Sequence, residues 1–342
     1  MLSRERFDAA LDLQAPDRFP LFYQHLGAAQ WVLAQVGRTL QEGFHDPEAA
    51  AAISLGARDL YDFDNVMAGW GDILVEAQAH GMQWRFPEGD SYPRAEKYVP
   101  LTETDKIQPV DPLQDRYWSV PLRAGGIMQK KVGWEVAVVA GVVSPFPVVS
   151  EIIGYENMLM GLLSDPAPID SLLKVVLESV RMYGEALPGI GIEDIFVEDG
   201  SAGMEQNSPE LCERYDQKYL GEQIAHYRML GLRTIIHNCS ASPYLELNAQ
   251  HRANAIHFSM ASVDVPAVFQ RFKGKTCVMA SIDQGDILFK GTANEVEAAV
   301  RETCLLWGQD AGFMLAPDEL PHKTPLENIV RLRECADRYG RC

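Results

Sequence analysis

The chain has 342 residues, 47% of them hydrophobic, enough to bury a large core in one α/β barrel or two ordinary domains. A formal net charge of −18 argues against nucleic acid as a partner, because phosphate binding wants clustered Lys and Arg. Six cysteines without a Cys-x-x-Cys pair make no disulfide framework, no apolar run approaches a membrane span, and the amphipathic start MLSRERFDAALDL has no signal-peptide core, so a reducing cytoplasm is expected.

Apolar strand-like runs alternate with longer amphipathic stretches and no linker interrupts them, the pattern of repeated βα units around a parallel sheet. The expected strands run from Phe19 to Gln24, Phe63 to Ala68, Trp134 to Val142, Asp194 to Glu198, Thr234 to Cys239, Ala255 to Ser259, Thr276 to Ile282 and Gly312 to Ala316. PELCERYDQKYLGEQIAHYRMLG predicts a helix with Ser208 as N-cap and Pro209 in its first position. ANEVEAAVRETCLLWGQDAG has helical apolar spacing and glycine at its end. Eight such strands predict an α/β fold, a single (β/α)8 TIM barrel with a helical N-terminal extension, as one domain over residues 1–342.

Such barrels carry their chemistry at the carboxyl ends of the strands. The expected strand ends hold Gln24 and His25, then Trp70 and Asp72, then Glu198 and Asp199, then His237 and Cys239. His257 lies on the sixth strand, Asp283 follows the seventh, and Asp318 and Glu319 follow the eighth. In extended chain, residues i and i+2 share a face, so His237 and Cys239 can converge on one ion. The competing reading is a half-buried histidine beside a small apolar cysteine. A catalytic zinc needs a third ligand, for which Glu198, Asp318 and Glu319 are the candidates. Glu198 competes with a loop-capping role, and Asp318 with a turn role. His25 and His257 read as hydrogen-bonded rim residues. Tyr23, Trp70, Phe146 and Phe196 line an aromatic pocket or belong to the core.

Four segments carry a family resemblance: GDILVEAQAHGMQWRFPEGDSYP, GVVSPFPVVSEIIGYENML, SIDQGDILFKGTANEV and LAPDELPHKTPLENI. With them the chain resembles the uroporphyrinogen decarboxylase superfamily, and within it the branch of zinc- and corrinoid-dependent methyltransferases. The decarboxylases clamp a polycarboxylate with a first-strand segment of the type Met-Arg-Gln-Ala-Gly-Arg. Here Phe22-Tyr23-Gln24-His25-Leu26-Gly27-Ala28 lacks both arginines, Glu151 replaces a pocket tyrosine and Glu198 replaces a serine. Missing bidentate cations and added anions disfavour such a substrate.

The methyltransferase motif is His-x-Cys after strand five and a cysteine after strand eight. His237 and Cys239 match the first part, while the later cysteine falls on Asp318 or Glu319, depending on the anchor. The resemblance therefore implies a Zn2+ site of His237, Cys239 and Asp318 or Glu319. It also implies a corrinoid (cobalamin) on a partner protein and a small-molecule methyl donor or acceptor, with a homodimer left open. Glu198 is then a further ligand or a proton-handling group, and Asp72 orients substrate or a zinc-bound group. Gln24, His25, Trp70 and Phe146 are the expected substrate contacts. A carboxylate in place of thiolate leaves zinc a harder Lewis acid, which suits an oxygen and points to methyl ether O-demethylation. The alternatives are a metal-free decarboxylase and a non-catalytic barrel that binds a tetrapyrrole or a partner.

Overall fold

The computed structural model describes residues 1–24, 29–69, 74–88, 92–200, 207–238, 244–317 and 319–341. Seven parallel strands form one sheet in chain order: β1 Asn65–Ala68, β2 Ala137–Val143, β3 Asp194–Glu198, β4 Arg233–Asn238, β5 Ala255–Ser259, β6 Cys277–Ile282 and β7 Phe313–Pro317. Runs such as AVVAGVV are buried at every position, since helices cover the outer face and the barrel interior fills the other. Long helices such as Ala167–Ala186 and Ala293–Trp307 join the strands. The second opens on a capping box in which the Thr292 side chain accepts from the Glu295 amide.

The expected first strand does not form a regular ladder. Residues 19–24 instead lie in the gap between β7 and β1. Phe22 donates to the Leu315 carbonyl (2.9 Å), Leu315 to the Pro20 carbonyl (3.0 Å) and Asp64 to the Leu21 carbonyl (2.9 Å). Pro20 has no N–H to give. Two further amides turn to side chains: Leu21 donates to Asp64 Oδ2 (2.7 Å) and Tyr23 to Asn65 Oδ1 (2.6 Å). The sheet is thus curled, with its edges joined by a short clasp of backbone and side-chain bonds rather than by an eighth strand. The expected third strand also starts late, at Ala137, and Trp134 stands exposed in the preceding turn.

Inward-facing residues stack in three levels, as alternation requires. At the amino ends, Arg233 holds Asp194 through Nε (2.7 Å) and Nη2 (2.9 Å). Above them Phe196, Ile235, Ala255, Met279 and Met314 form an apolar plug, closed from below by Phe7, Ala10 and Leu11 of helix α1, Ser3–Leu11. Glu198, His237, His257 and Ser281 make the third level, at the carboxyl ends. No helix among the described residues is long and apolar enough to cross a membrane.

Candidate functional site

Strand register builds the centre of the site. Glu198 pairs with His237, and His237 with His257, on three adjacent strands. Neighbouring strands lie roughly 4.8 Å apart, so three in-register side chains on one face must meet. His237 Nδ1 lies 2.6 Å from His257 Nδ1, and His257 Nε2 lies 2.7 Å from Ser281 Oγ. On its other side, His237 Nε2 lies 3.1 Å from Gln24 Nε2 and 3.5 Å from Glu198 Oε1. All five side chains are buried. Phe196 supports the pair from the plug, stacked on His237 with a centroid distance of 5.2 Å and tilted against His257 at 5.8 Å.

A second polar cluster braces the end of β3. Asp199 points to the opposite face from Glu198, where Ser144 Oγ donates to its Oδ1 (2.8 Å) and Gln217 Nε2 to its Oδ2 (3.1 Å). Backbone bonds complete the brace, from Asp199 to the His237 carbonyl (2.8 Å) and from Ser144 to the Glu198 carbonyl (2.9 Å). The helix expected from Pro209 starts there, with Ser208 as N-cap, and widens at once into a π-helical turn, Cys212–Gln217. That turn buries Asp216 and Gln217 beside Asp199. Burial, and then repulsion from Asp199, hold the Asp216 carboxyl well above the usual carboxylate range, while burial raises Asp199 as well. A protonated Asp216 donating to Asp199 satisfies both.

The expected site residues fall as follows. Gln24, Glu198 and His237 come together at the carboxyl end. Phe146 is buried in the main core, in the first turn of the helix Pro145–Ile153. Tyr23 lies in that core and Phe196 in the plug. Glu319 is exposed just past β7, and burial raises the Glu151 carboxyl. His25, Trp70, Asp72, Cys239 and Asp318 lie outside the described residues. Among the described residues no three His, Cys, Asp or Glu side chains gather to hold a metal. The two that face each other are nonetheless spaced as co-ligands. Bonds of about 2.0–2.1 Å at a tetrahedral zinc put nitrogen and oxygen about 3.3 Å apart, against 3.5 Å between His237 Nε2 and Glu198 Oε1. Sequence reasoning left His257 on the rim and passed over Ser281. Both stand at inward i, i+2 positions of AIHFS and CVMASI, but only register joins His257 to His237, and Ser281, in register with Ser259, meets His257 diagonally through its side chain.

Fold and site together define a parallel, barrel-like α/β protein with an imidazole–carboxylate cluster at the carboxyl ends of its strands. The family model described as uroporphyrinogen decarboxylase (URO-D) matches residues 2–339, and the chain belongs to that family. It is 24% identical to methylcobamide:CoM methyltransferase MtbA of Methanosarcina mazei, over 98% of each chain. With a uroporphyrinogen decarboxylase of Shewanella pealeana it shares 22% identity, over 92% of this chain and 90% of that one. A solved structure, a methyltransferase from Methanosarcina mazei, superposes with a TM-score of 0.90 at 20% identity, over 99% of both chains.

Proposed function

We propose that this protein moves a methyl group between a small molecule and a corrinoid carried by a partner protein, at a zinc site of His237, Cys239 and Asp318 or Glu319. One observation carries the reading: the buried His237 Nε2 and Glu198 Oε1 face each other at co-ligand spacing, at the strand end where the branch places its metal motif. Full-length similarity to methylcobamide:CoM methyltransferases supports it. The absence of both arginines from residues 22–28 speaks against the decarboxylase alternative.

A zinc ion held there would supply Lewis acidity toward a sulfur or an oxygen at neutral pH. The chain's own residues do the rest. His237 offers a neutral nitrogen lone pair, and Glu198 completes the donor set or takes the proton that an acceptor thiol must lose. Gln24 places an amide beside both. Asp72 orients the methyl-bearing molecule. A carboxylate at 318 or 319, where the branch has a thiolate, favours an oxygen-bound methyl group and hence O-demethylation.

The test is metal content of the purified protein, wild type beside His237→Ala and Cys239→Ser, followed by methyl exchange with cobalamin. About one zinc per chain, lost in both variants together with methyl transfer, supports the proposal. Wild-type protein that takes up no zinc from excess metal overturns it. Asp318→Ala beside Glu319→Ala then identifies the third ligand, and a panel of methyl ethers and thiols identifies the substrate class.

A further inference from the structure

We infer that His257 and Ser281 act as positioning residues: they fix His237 in the tautomer that carries its hydrogen on Nδ1 and leaves Nε2 bare toward Glu198 and Gln24. The inference deepens the zinc reading and rests on it for its purpose, but the hydrogen-bond pattern is a property of the chain alone.

The argument is a count of hydrogens. Gln24 turns its amide nitrogen to the ring, 3.1 Å away, and in that orientation it donates and His237 Nε2 accepts. A neutral imidazole carries one hydrogen, which for His237 must then sit on Nδ1. Across the 2.6 Å to His257 Nδ1 there is room for one hydrogen only, so His257 Nδ1 accepts it. His257 in turn keeps its single hydrogen on Nε2 and donates it to Ser281 Oγ at 2.7 Å. The direction of the chain is set at the Gln24 end, since it finishes on a hydroxyl that accepts as readily as it donates. The resulting bare Nε2 is the atom with the co-ligand spacing to Glu198 Oε1, 3.5 Å away.

Metal-binding histidines hand their second N–H to a neighbour that orients the ring, and loss of such a neighbour typically weakens metal binding 10–100-fold. Usually that neighbour is a carboxylate or a carbonyl. Here it is a second imidazole, in register on the next strand and itself held by a serine.

The experiment is long-range 1H–15N correlation NMR on the metal-free protein labelled at its eight histidines, at mildly alkaline pH where imidazoles are neutral. His237→Gln and His257→Gln assign the signals. The expected result is His237 protonated at Nδ1 and His257 at Nε2. His237 found with its hydrogen on Nε2 overturns the inference. Zinc affinity by chelator competition supplies the second arm: Ser281→Ala should bind about tenfold more weakly than wild type, and Ser281→Thr should restore affinity. Equal affinity in Ser281→Ala also overturns it. If the wild type binds no zinc while the tautomers are as stated, the metal reading fails and the hydrogen-bond chain stands.

Discussion

The barrel has two polar levels separated by one apolar plug, and they are built to opposite rules. At the amino end the buried carboxylates are paired. Asp64 takes Arg6 Nη1 (2.6 Å), Arg18 Nη1 (2.8 Å) and the Leu21 amide, and Asp194 takes both arms of Arg233, whose Nη2 also reaches Asp8 (2.5 Å). At the carboxyl end a carboxylate and an imidazole lone pair face the same space, and no Lys or Arg stands among Gln24, Glu198, His237, His257 and Ser281. Saturated charge is what a fold needs where it must close. Donors that converge on one point are what a site needs where something must bind.

Replacing Asp64 should cost most. Asp64→Ala leaves two largely buried guanidiniums short of a partner and releases the Leu21 amide, so unfolding should become easier by about 3–5 kcal/mol in chemical denaturation. Arg233→Met strips Asp194 of its bidentate partner. Arg233 keeps some solvent contact, so the expected loss is about 2–3 kcal/mol, with zinc uptake per folded molecule unchanged. Glu198→Gln sharpens the contrast from the other side: the midpoint of unfolding should move little, while chelator competition should record zinc held about 10–100-fold more weakly. If Glu198→Gln destabilised the fold as Arg233→Met does, the two levels would not differ in kind.

The smallest effect concerns Asp216. Its folded carboxyl binds the proton more tightly than an unfolded aspartate of pKa about 4. Its share of stability is therefore complete below that value and is lost as pH rises toward its folded-state value. Asp216→Asn removes the proton dependence while leaving a hydrogen-bond donor for Asp199. Stability measured from weakly acid to alkaline pH should fall more steeply in the wild type than in the variant, and parallel curves would show that Asp216 is ionised in the fold.

The placing of His237 and Glu198 at inward strand ends was legible because alternation is local: reading i and i+2 in RTIIHNC aims His237 inward, and DIFVE does the same for Glu198. Seven of the expected strands stand where the apolar runs put them, with ends shifted by up to three residues. Two things were not legible. The contact of His237 with His257 depends on the register of strands joined through some twenty residues of intervening chain, and no local pattern encodes it. The clasp at residues 19–24 was hidden because FPLFYQ reads as a strand. Only the side chains of Asp64 and Asn65, more than forty positions on, take the amides that a ladder would have used. Trp134 belongs to the apolar run of the expected third strand, yet the turn bonds from Glu135 and Val136 to the Val132 carbonyl keep it outside.

That clasp makes the circumference of the barrel unequal to itself. Six of its junctions are continuous parallel ladders, and the remaining one depends on a few bonds about a proline. Amide hydrogens at Leu21 and Tyr23 should exchange with solvent ahead of those in β3 and β4, since local opening there breaks fewer bonds. Gln24 rides on this segment, so the wall it sets beside His237 is tied to the sheet by fewer backbone bonds than the walls set by the in-register strands β3, β4 and β5.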